Sequence, residues 1–328
     1  MKHVSILVPK GQYSIVNIAG TFQILNWAND LFFQQTRKRL FQIEFVGHEK
    51  PAHDADGFYT VTPPRTMAEV QNTDLIIIPA VHGDLREAIA HNQEVIDWVH
   101  QQHQQGAEVA AFCIGVFLLA ETGMLNGRTC STHWGQAAQL QQQYPEIDVQ
   151  SERIITESEG IYTSGGAYAF TNLVIYLIEK YGGRELAILT AKAFMIDVDK
   201  EDQSVFMMFN GQKDHGDSLV LQVQEFLESN YTDKITVEQL ASRHTTTRRT
   251  LERRFKQATE NSILEYLQRV RMEAAKRLLE GQTRNVHQVM MEVGYGDPKA
   301  FRTVFKRWVG ITPTAYRQKF QRRVEVAG

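Results

Sequence analysis

The chain has 328 residues, of which 43% are hydrophobic and 22% charged. This length exceeds what one core usually supports, so we predict two domains, and no apolar run approaches the ~20 residues that span a membrane. The first nine residues carry one basic residue and a short apolar run that Pro9 ends, which indicates a first strand and not a signal peptide. The two cysteines, Cys113 and Cys130, are too few for a disulfide framework and lack zinc-site spacing, so we expect a cytoplasmic protein without metal or cofactor.

The net charge of −3 hides a division along the chain. Residues 1–218 hold 15 Lys and Arg against 26 Asp and Glu, whereas residues 219–328 hold 20 against 12. The first part is therefore −11 and the second +8. Such asymmetry is typical of an acidic body joined to a nucleic-acid-binding module, although charge alone leaves open that the basic helices are merely solvated faces.

The first 210 residues alternate short β-rich runs with amphipathic helical patterns. Alternation of this kind predicts an α/β domain with a mostly parallel sheet sandwiched by helices. We predict strands at 4–8, 41–46, 75–78, 109–112, 130–132, 153–157 and 161–163. The predicted helices cover 19–34, 94–105, 168–181 and 184–194.

A polar segment with two glycines, residues 211–218, coincides with the change of charge sign. We predict the linker there, between a first domain at 1–210 and a second, all-α domain at 219–328.

The second domain opens with a helix-turn-helix pattern. Thr236 is the predicted N-cap of its first helix, and a second helix begins at Thr247 with Leu251 and Phe255 on its core face. The opposite face suits the DNA major groove, in which Arg binds guanine and Glu accepts from cytosine. The side chains predicted to contact DNA there are Arg248, Arg249, Glu252 and Arg253. We expect Arg254 and Lys256 to contact the DNA backbone.

A second helix-turn-helix pattern repeats this arrangement. A helix is predicted at 286–293, a turn at 294–297, and Pro298 occupies the first position of the next helix, where its missing N–H costs nothing. Phe301 and Phe305 form the core stripe. The outward side chains predicted to contact DNA are Lys299, Arg302, Thr303 and Lys306.

Between the two patterns, residues 263–279 predict a long connecting helix. Its predicted buried residues are Tyr266, Leu267, Val270, Ala274 and Leu278. Such a helix would hold both patterns on one frame, so that they enter successive major grooves ~34 Å apart.

A closing signature identifies the family that this module resembles. It consists of Gly294-Tyr295-Gly296-Asp297, Phe301, Phe305-Lys306-Arg307 and Gly310-Ile311-Thr312-Pro313-Thr314-Ala315-Tyr316-Arg317. From about Ile235 to Phe320 the sequence is similar to the AraC/XylS family of transcriptional regulators, which implies double-stranded promoter or operator DNA as a partner and a homodimer. The chain departs from the family at Asn261 and Ile263, where Gly and then Pro are usual, and at Thr303, often Arg. We expect Asn261 to take the left-handed turn.

In the first domain, a buried strand, one cysteine and a helix follow one another at 109–120. This corner resembles a nucleophile elbow, which exposes the Cys113 side chain beside backbone N–H groups, an environment that lowers a thiol pKa. His133 ends the next predicted strand, and parallel strand ends converge on one crevice. We expect His82, Gly83 and Gly165 to complete its walls, with backbone N–H groups that favour a carboxylate.

These residues carry a second resemblance, through Cys113-Ile114-Gly115 with Leu118-Leu119-Ala120, Gly123-Met124-Leu125-Asn126-Gly127-Arg128, Thr132-His133-Trp134 and Thr163-Ser164-Gly165-Gly166-Ala167. Residues 2 to about 210 resemble the PfpI-like superfamily, whose flavodoxin-like fold is shared with glutamine amidotransferases. More closely, they resemble the sensor half of GlxA-type AraC regulators.

The resemblance raises the question of catalysis. Asn17 occupies the position at which the superfamily's enzymes carry an acid, and Gly135 the position at which an amidotransferase would need one. An amide cannot transfer a proton near neutral pH, so we predict a sensor and not an enzyme.

The predicted sensor binds a small molecule such as an amino acid, a betaine or another amine or carboxylate. The predicted ligand-binding residues are Asn17, His82, Gly83, Cys113, Ile114, His133 and Gly165. Two alternatives stay open: a PfpI-like amidase or glyoxalase-type enzyme fused to a DNA-binding module, and a redox switch in which Cys113 is oxidised.

Overall fold

The computed structural model of the chain describes residues 1–48, 52–53, 60–198, 202–213, 215–281 and 283–321. The chain divides into two compact units, Met1–Gln203 and Ser204–Gly328. This division falls slightly before the linker predicted at 211–218, of which residue 214 lies outside the described residues, and the linker itself stays a prediction. Across the described ranges, no helix is both long and apolar enough to cross a membrane.

The first unit is built on a seven-stranded sheet. The strands of the unit are β1 (Lys2–Val8), β2 (Phe41–Gly47), β3 (Ala52–His53), β4 (Thr60–Val61), β5 (Arg65–Thr66), β6 (Leu75–Ile78), β7 (Glu108–Phe112), β8 (Thr129–Cys130), β9 (Asp148–Val149), β10 (Ile155–Ser158) and β11 (Ile161–Ser164). The main sheet has the order β10-β11-β7-β6-β1-β2-β5. Every neighbouring pair in it is parallel except β10 with β11. The pairs β3–β4 and β8–β9 form separate two-stranded sheets.

Among the described residues of this unit, seven α-helices cover the sheet. They are α1 (Ile15–Thr36), α2 (Leu85–His91), α3 (Gln93–Gln104), α4 (Val116–Glu121), α5 (Ala137–Gln143), α6 (Phe170–Gly182) and α7 (Arg184–Ala193). Successive strand residues point to opposite faces, so Ile6 joins the core under α1, α6 and α7, whereas Leu7 joins the core under α3 and α4. The predicted α/β sandwich is confirmed.

One strand prediction is wrong in its placement. The strand predicted at 130–132 is β8, which ends at Cys130 and pairs with β9, outside the main sheet. Cys130 itself is fully buried, as expected of a strand residue.

The second unit is helical, as predicted. Its helices are α8 (Ser218–Ser229), α9 (Val237–Arg243), α10 (Arg248–Thr259), α11 (Ile263–Glu280), α12 (Val286–Glu292), α13 (Pro298–Val309) and α14 (Pro313–Phe320). The first half of α11 lies in a core with α8, α9 and α10, and its second half lies in a core with α12, α13 and α14. One helix therefore supports both helix-turn-helix pairs, α9–α10 and α12–α13.

Two details around α11 correct the sequence-based expectations. Leu278 is only partly buried, and the neighbouring Leu279 is the fully buried residue. The left-handed turn before α11 falls on Glu260, with φ +58°, and not on Asn261, which is buried and hydrogen-bonded to Thr259. The Asn261 side chain thus stabilises the turn, while Glu260 adopts the strained backbone conformation.

Candidate ligand site and nucleic-acid interface

Cys113 lies at a sharp corner between β7 and α4. Its φ is +53°, in the left-handed region that non-glycine residues rarely adopt, and a single 3-10 turn, Cys113–Gly115, leads into α4. Only glycine fits at position 115, because a Cβ there would lie 2.3 Å from the carbonyl oxygen of Pro79. Strained backbone at a tight corner concentrates at functional sites, so the elbow is the first candidate for one.

The Cys113 thiol is buried, with 3% of the residue exposed. Burial raises the pKa of the thiol to about 11, and a hydrogen bond from the Ile114 backbone N–H opposes this only in part. The expectation of an exposed, low-pKa thiol is therefore wrong, because the loss of water outweighs the favourable backbone dipole. At neutral pH the thiol is protonated and a poor nucleophile.

The segment that follows β8 meets the elbow. The Thr132 side chain is buried, and its Oγ1 donates a 2.8 Å hydrogen bond to the Cys113 carbonyl oxygen. The next residue, His133, accepts the Gly135 backbone N–H at Nδ1 over 3.1 Å, which assigns its proton to Nε2 when the ring is neutral. Burial lowers the pKa of His133, so the neutral ring is favoured.

Asn17 serves the fold at the start of α1. Its side chain is buried, and Oδ1 accepts the backbone N–H of Ala80 at 3.0 Å. The amide thus ties the first turn of α1 to the segment that follows β6. An enzyme of this superfamily would need an acid with a transferable proton at this position. Asn17 Oδ1 instead accepts a backbone hydrogen bond.

The three residues predicted as further walls have different environments. The backbone N–H of His82 donates to Gln12 O at 2.9 Å, and that of Gly165 donates to Ile154 O at 2.8 Å. These two N–H groups are not free, so the prediction that they bind an anion is wrong. Gly83 has φ +79°, where a side chain would be strained. Whether these residues contact a ligand stays a prediction.

Two buried hydroxyl groups near this edge of the sheet were not among the predicted site residues. Within the described residues, Thr21 Oγ1 and Ser164 Oγ have no hydrogen-bond partner. Thr21 lies one helical turn after Asn17, and Ser164 ends β11 opposite Phe112, the residue before Cys113. Buried hydroxyls nearly always have a partner, so these two are candidates for bonds to a small polar ligand or to water. Sequence shows a hydroxyl but not its burial, and gave no signal for either.

The first helix-turn-helix pair has the predicted geometry. Thr236 caps α9 through a reciprocal capping box with Gln239, and Thr247 caps α10. Leu251 and Phe255 are fully buried, which leaves the opposite face of α10 to solvent.

The charged residues of α10 differ in whether they form ion pairs within the protein. Arg248 pairs with Glu238 and, at 3.0 Å, with Glu252, so the DNA contacts predicted for Arg248 and Glu252 would require these pairs to open. Arg249 and Arg253 are exposed, and no described acidic residue pairs with them.

The DNA-backbone contact expected of Arg254 stays a prediction, and without DNA this side chain has another partner. Arg254 makes a bidentate ion pair with Asp217, with distances of 2.9 Å and 2.6 Å. Asp217 is also the N-cap of α8, and its hydrogen bond with Arg254 lowers the pKa of the carboxyl. Arg254 therefore fastens α10 to α8.

The second pair exposes more free positive charge. Asp297 caps α13, Pro298 follows at its start as predicted, and Phe301 and Phe305 are buried. Lys299, Arg302, Thr303 and Lys306 are all exposed on the other face. No acidic residue in the described ranges pairs with the three cations among them.

Comparisons with known proteins identify relatives of both units. A family model described as "DJ-1/PfpI family" matches residues 32–180, and one described as "Helix-turn-helix domain" matches residues 240–319. The chain is 24% identical over 307 residues to the HTH-type transcriptional regulator GbdR of Pseudomonas aeruginosa, across 93% of this chain and 82% of that protein. The chain therefore combines a match to the DJ-1/PfpI family with a match to a helix-turn-helix domain, and it is similar over most of its length to a transcriptional regulator.

Other similar proteins have the same description. The chain is 25% identical to CdhR of Pseudomonas aeruginosa, over 74% of each chain, and 23% identical to GlxA of Rhizobium meliloti, over 65% of this chain and 66% of that one. Both are named as HTH-type transcriptional regulators.

Solved structures support the fold. An AraC family transcriptional regulator from Pseudomonas putida matches with a TM-score of 0.50 and 18% identity, over 59% of this chain and all of that one. A Vibrio parahaemolyticus protein, crystallised as a candidate transcriptional regulator, matches with a TM-score of 0.52 and 23% identity, over 60% of this chain and 99% of that one.

Proposed function

We propose that the first unit of this regulator senses a small metabolite at the Cys113 elbow and thereby alters how its two helix-turn-helix pairs bind promoter DNA. The protein acts in the cytoplasm as a homodimer, so that two copies read paired half-sites. The observation that carries the proposal is the elbow itself. Its backbone is strained, but neither Asn17 nor the buried Cys113 thiol is suited to proton transfer near neutral pH. Asn17 replaces an acid, and the Cys113 thiol is buried with its pKa raised to about 11.

The ligand class follows from the groups around the elbow. The Thr21 and Ser164 hydroxyls can each donate and accept, and the His133 ring is favoured in its neutral form. Such groups suit a small polar molecule with amine or carboxylate hydrogen-bonding groups, such as an amino acid or a betaine. They supply no fixed positive charge that would select for a free anion.

A thermal-shift screen of amino acids, betaines and other small amines and carboxylates tests the sensing step. A ligand at 100 times its Kd stabilises the folded state by ~2.7 kcal/mol, enough to raise the melting temperature measurably. We expect at least one compound to do so in the wild type and to bind more weakly to Ser164→Ala. Ser151→Ala, in the loop before β10, is the control and should bind as the wild type does. Equal binding by Ser164→Ala would remove the elbow from the site.

The enzyme alternative has a separate test. A substrate that the wild type turns over, and that Cys113→Ser does not, would overturn the sensor proposal if Cys113→Ser kept its full transcriptional response. We expect no such substrate, because a protonated, buried thiol without a partner acid is not an activated nucleophile.

A further inference from the structure

Gln203, the last residue of the first unit, is buried in a socket of backbone groups. Only 3% of the residue is exposed. Its Oε1 accepts the Gly166 N–H at 2.7 Å, and its Nε2 donates to the carbonyl oxygens of Ser151 and Thr132 at 2.7 Å and 3.1 Å. Its own backbone N–H donates to Glu152 O at 2.7 Å. One amide thus joins three separate loops.

The socket is shaped for this side chain. A Cβ at Gly165 would lie 2.4 Å from Gln203 Oε1, and one at Gly166 would lie 3.4 Å from the same atom. The two glycines therefore leave the space that Gln203 fills. A shorter or differently charged side chain would leave buried backbone groups without partners.

The socket is one residue removed from the elbow. Thr132 accepts from Gln203 at its carbonyl oxygen and donates from Oγ1 to the Cys113 carbonyl oxygen at 2.8 Å. His133, a predicted ligand residue, follows Thr132 directly. A ligand that moves the 132–133 segment changes the socket of Gln203.

On the other side of Gln203, the chain enters the core of the second unit at once. Val205 is 8% exposed and belongs to the cluster that contains Phe301 and Phe305 of α13. Two residues of α11 hold the following segment: Lys276 donates to Met207 O, and Glu273 accepts the Phe209 N–H at 3.2 Å. Any displacement of Gln203 is therefore passed to a segment fastened to the helix that supports both DNA-binding pairs.

We propose that Gln203 is a latch that couples the elbow to the DNA-binding unit. With the amide seated, the chain is attached to the 132, 151 and 166 loops up to Gln203, the residue before the second unit begins. With the amide released, the chain that leads into the second unit loses this attachment. A ligand that binds the two states unequally shifts the population between them. This inference rests on the proposed sensing function, because the latch is set by the same elbow.

The test compares three variants of the full-length protein on a promoter fragment that the wild type binds specifically. Gln203→Ala removes the amide, and Gln203→Glu keeps its size but turns an acceptor toward the carbonyl oxygens of Thr132, Ser151 and Arg153. Gln102→Ala is the matched control: Gln102 is equally buried and also bridges backbone groups, accepting from Thr73 N and donating to Gln71 O, in the loop before β6. Hydrogen exchange of peptides that cover 204–209 is measured on the same samples.

We expect both Gln203 variants to change promoter affinity at least threefold and to speed exchange at 204–209, while Gln102→Ala changes affinity less than threefold. If Gln203→Ala does not fold, Gln203→Glu decides. An affinity change below threefold in the folded Gln203 variants, or an equal change in Gln102→Ala, would overturn the latch. A wild type that binds every DNA fragment alike would instead refute the proposed function, so the two failures are distinguishable.

Discussion

The hydroxyl of Thr132 donates a 2.8 Å hydrogen bond to the carbonyl oxygen of Cys113. This bond joins a loop that leaves the small β8–β9 sheet to the corner at which the main strand β7 ends. The residue whose backbone is strained, Cys113, thus has a buried side-chain partner for its carbonyl oxygen. Thr132 thereby positions His133, the next residue, beside the elbow.

Replacing Thr132 with the isosteric valine should destabilise the first unit by ~1–3 kcal/mol, because a buried carbonyl oxygen loses its donor. Urea unfolding followed by fluorescence measures this. Thr36→Val is the control: that hydroxyl bonds Phe32 O at the exposed end of α1, and its loss should cost under ~0.5 kcal/mol. Equal effects of the two substitutions would show that the Thr132 bond contributes nothing specific.

The Cys113 thiol should resist alkylation in the folded protein at pH 7 and pH 8.5. Its pKa is raised to about 11 by burial, so the reactive thiolate accumulates only well above the range in which an ordinary cysteine reacts. Mass spectrometry after iodoacetamide treatment, with urea-unfolded protein as the control, measures the difference. Rapid labelling of Cys113 in the folded state at pH 7 would contradict the buried-thiol description and favour the redox alternative.

The same raised pKa predicts a dependence of stability on pH. Below the ordinary thiol pKa near 9 the proton is bound in both states, and Cys113 causes no pH dependence. Between about 9 and 11 the unfolded chain has lost the proton that the folded chain keeps, so the free energy of unfolding should fall as the pH rises. Cys113→Ala should show a smaller decline over this range in urea titrations. An unchanged decline would place the effect elsewhere.

Alanine substitutions at Arg302 and Arg254 should affect different properties, DNA affinity in the first case and stability in the second. Arg302→Ala should weaken promoter binding by ~1–3 kcal/mol, because an exposed, unpaired guanidinium on α13 is lost. Arg254→Ala should leave DNA affinity nearly unchanged but slightly lower the melting temperature of the second unit, since Asp217 loses a partly exposed partner. Fluorescence anisotropy and thermal unfolding separate the two effects. A loss of DNA affinity in Arg254→Ala without a loss of stability would restore its predicted role on the DNA backbone.

Gly115→Ala should destabilise the first unit by ~1–3 kcal/mol, because the added methyl meets the Pro79 carbonyl oxygen at 2.3 Å, a backbone atom that cannot rotate away. Gly296→Ala is the control, since nothing lies within 4 Å of a Cβ there. Thermal unfolding measures both. An unchanged melting temperature of Gly115→Ala would mean that the backbone at the elbow can shift to make room for the added methyl group.

The sequence was most informative where local rules decide the structure. The apolar runs located the strands β1, β2, β6 and β7 to within a residue or two. The N-cap Thr236, the helix start at Thr247 and Pro298 at the first position of its helix located the helix-turn-helix pairs. Here side-chain periodicity and capping chemistry act within a few residues, so no tertiary knowledge is needed.

The failures involve burial and long-range pairing. The Cys113 pKa depends on how deeply the fold buries the thiol, and no local pattern reports that burial. Arg254 reads as one of several cations on α10, and only the fold brings Asp217 to it. The socket of Gln203 joins residues that are 37 to 71 positions away along the chain. Contacts of this kind are fixed by topology, and the sequence shows their members without their pairing.

Salt-dependent binding of the full-length protein to promoter fragments tests the central claim most directly. We predict that at least one fragment binds ~10³-fold or more tightly than random DNA at physiological salt. We also predict that log affinity falls linearly with log salt concentration, as expected when the cations of α10 and α13 displace counterions. Affinity for every fragment within a few-fold of random DNA would contradict the account, whatever ligand the first unit binds.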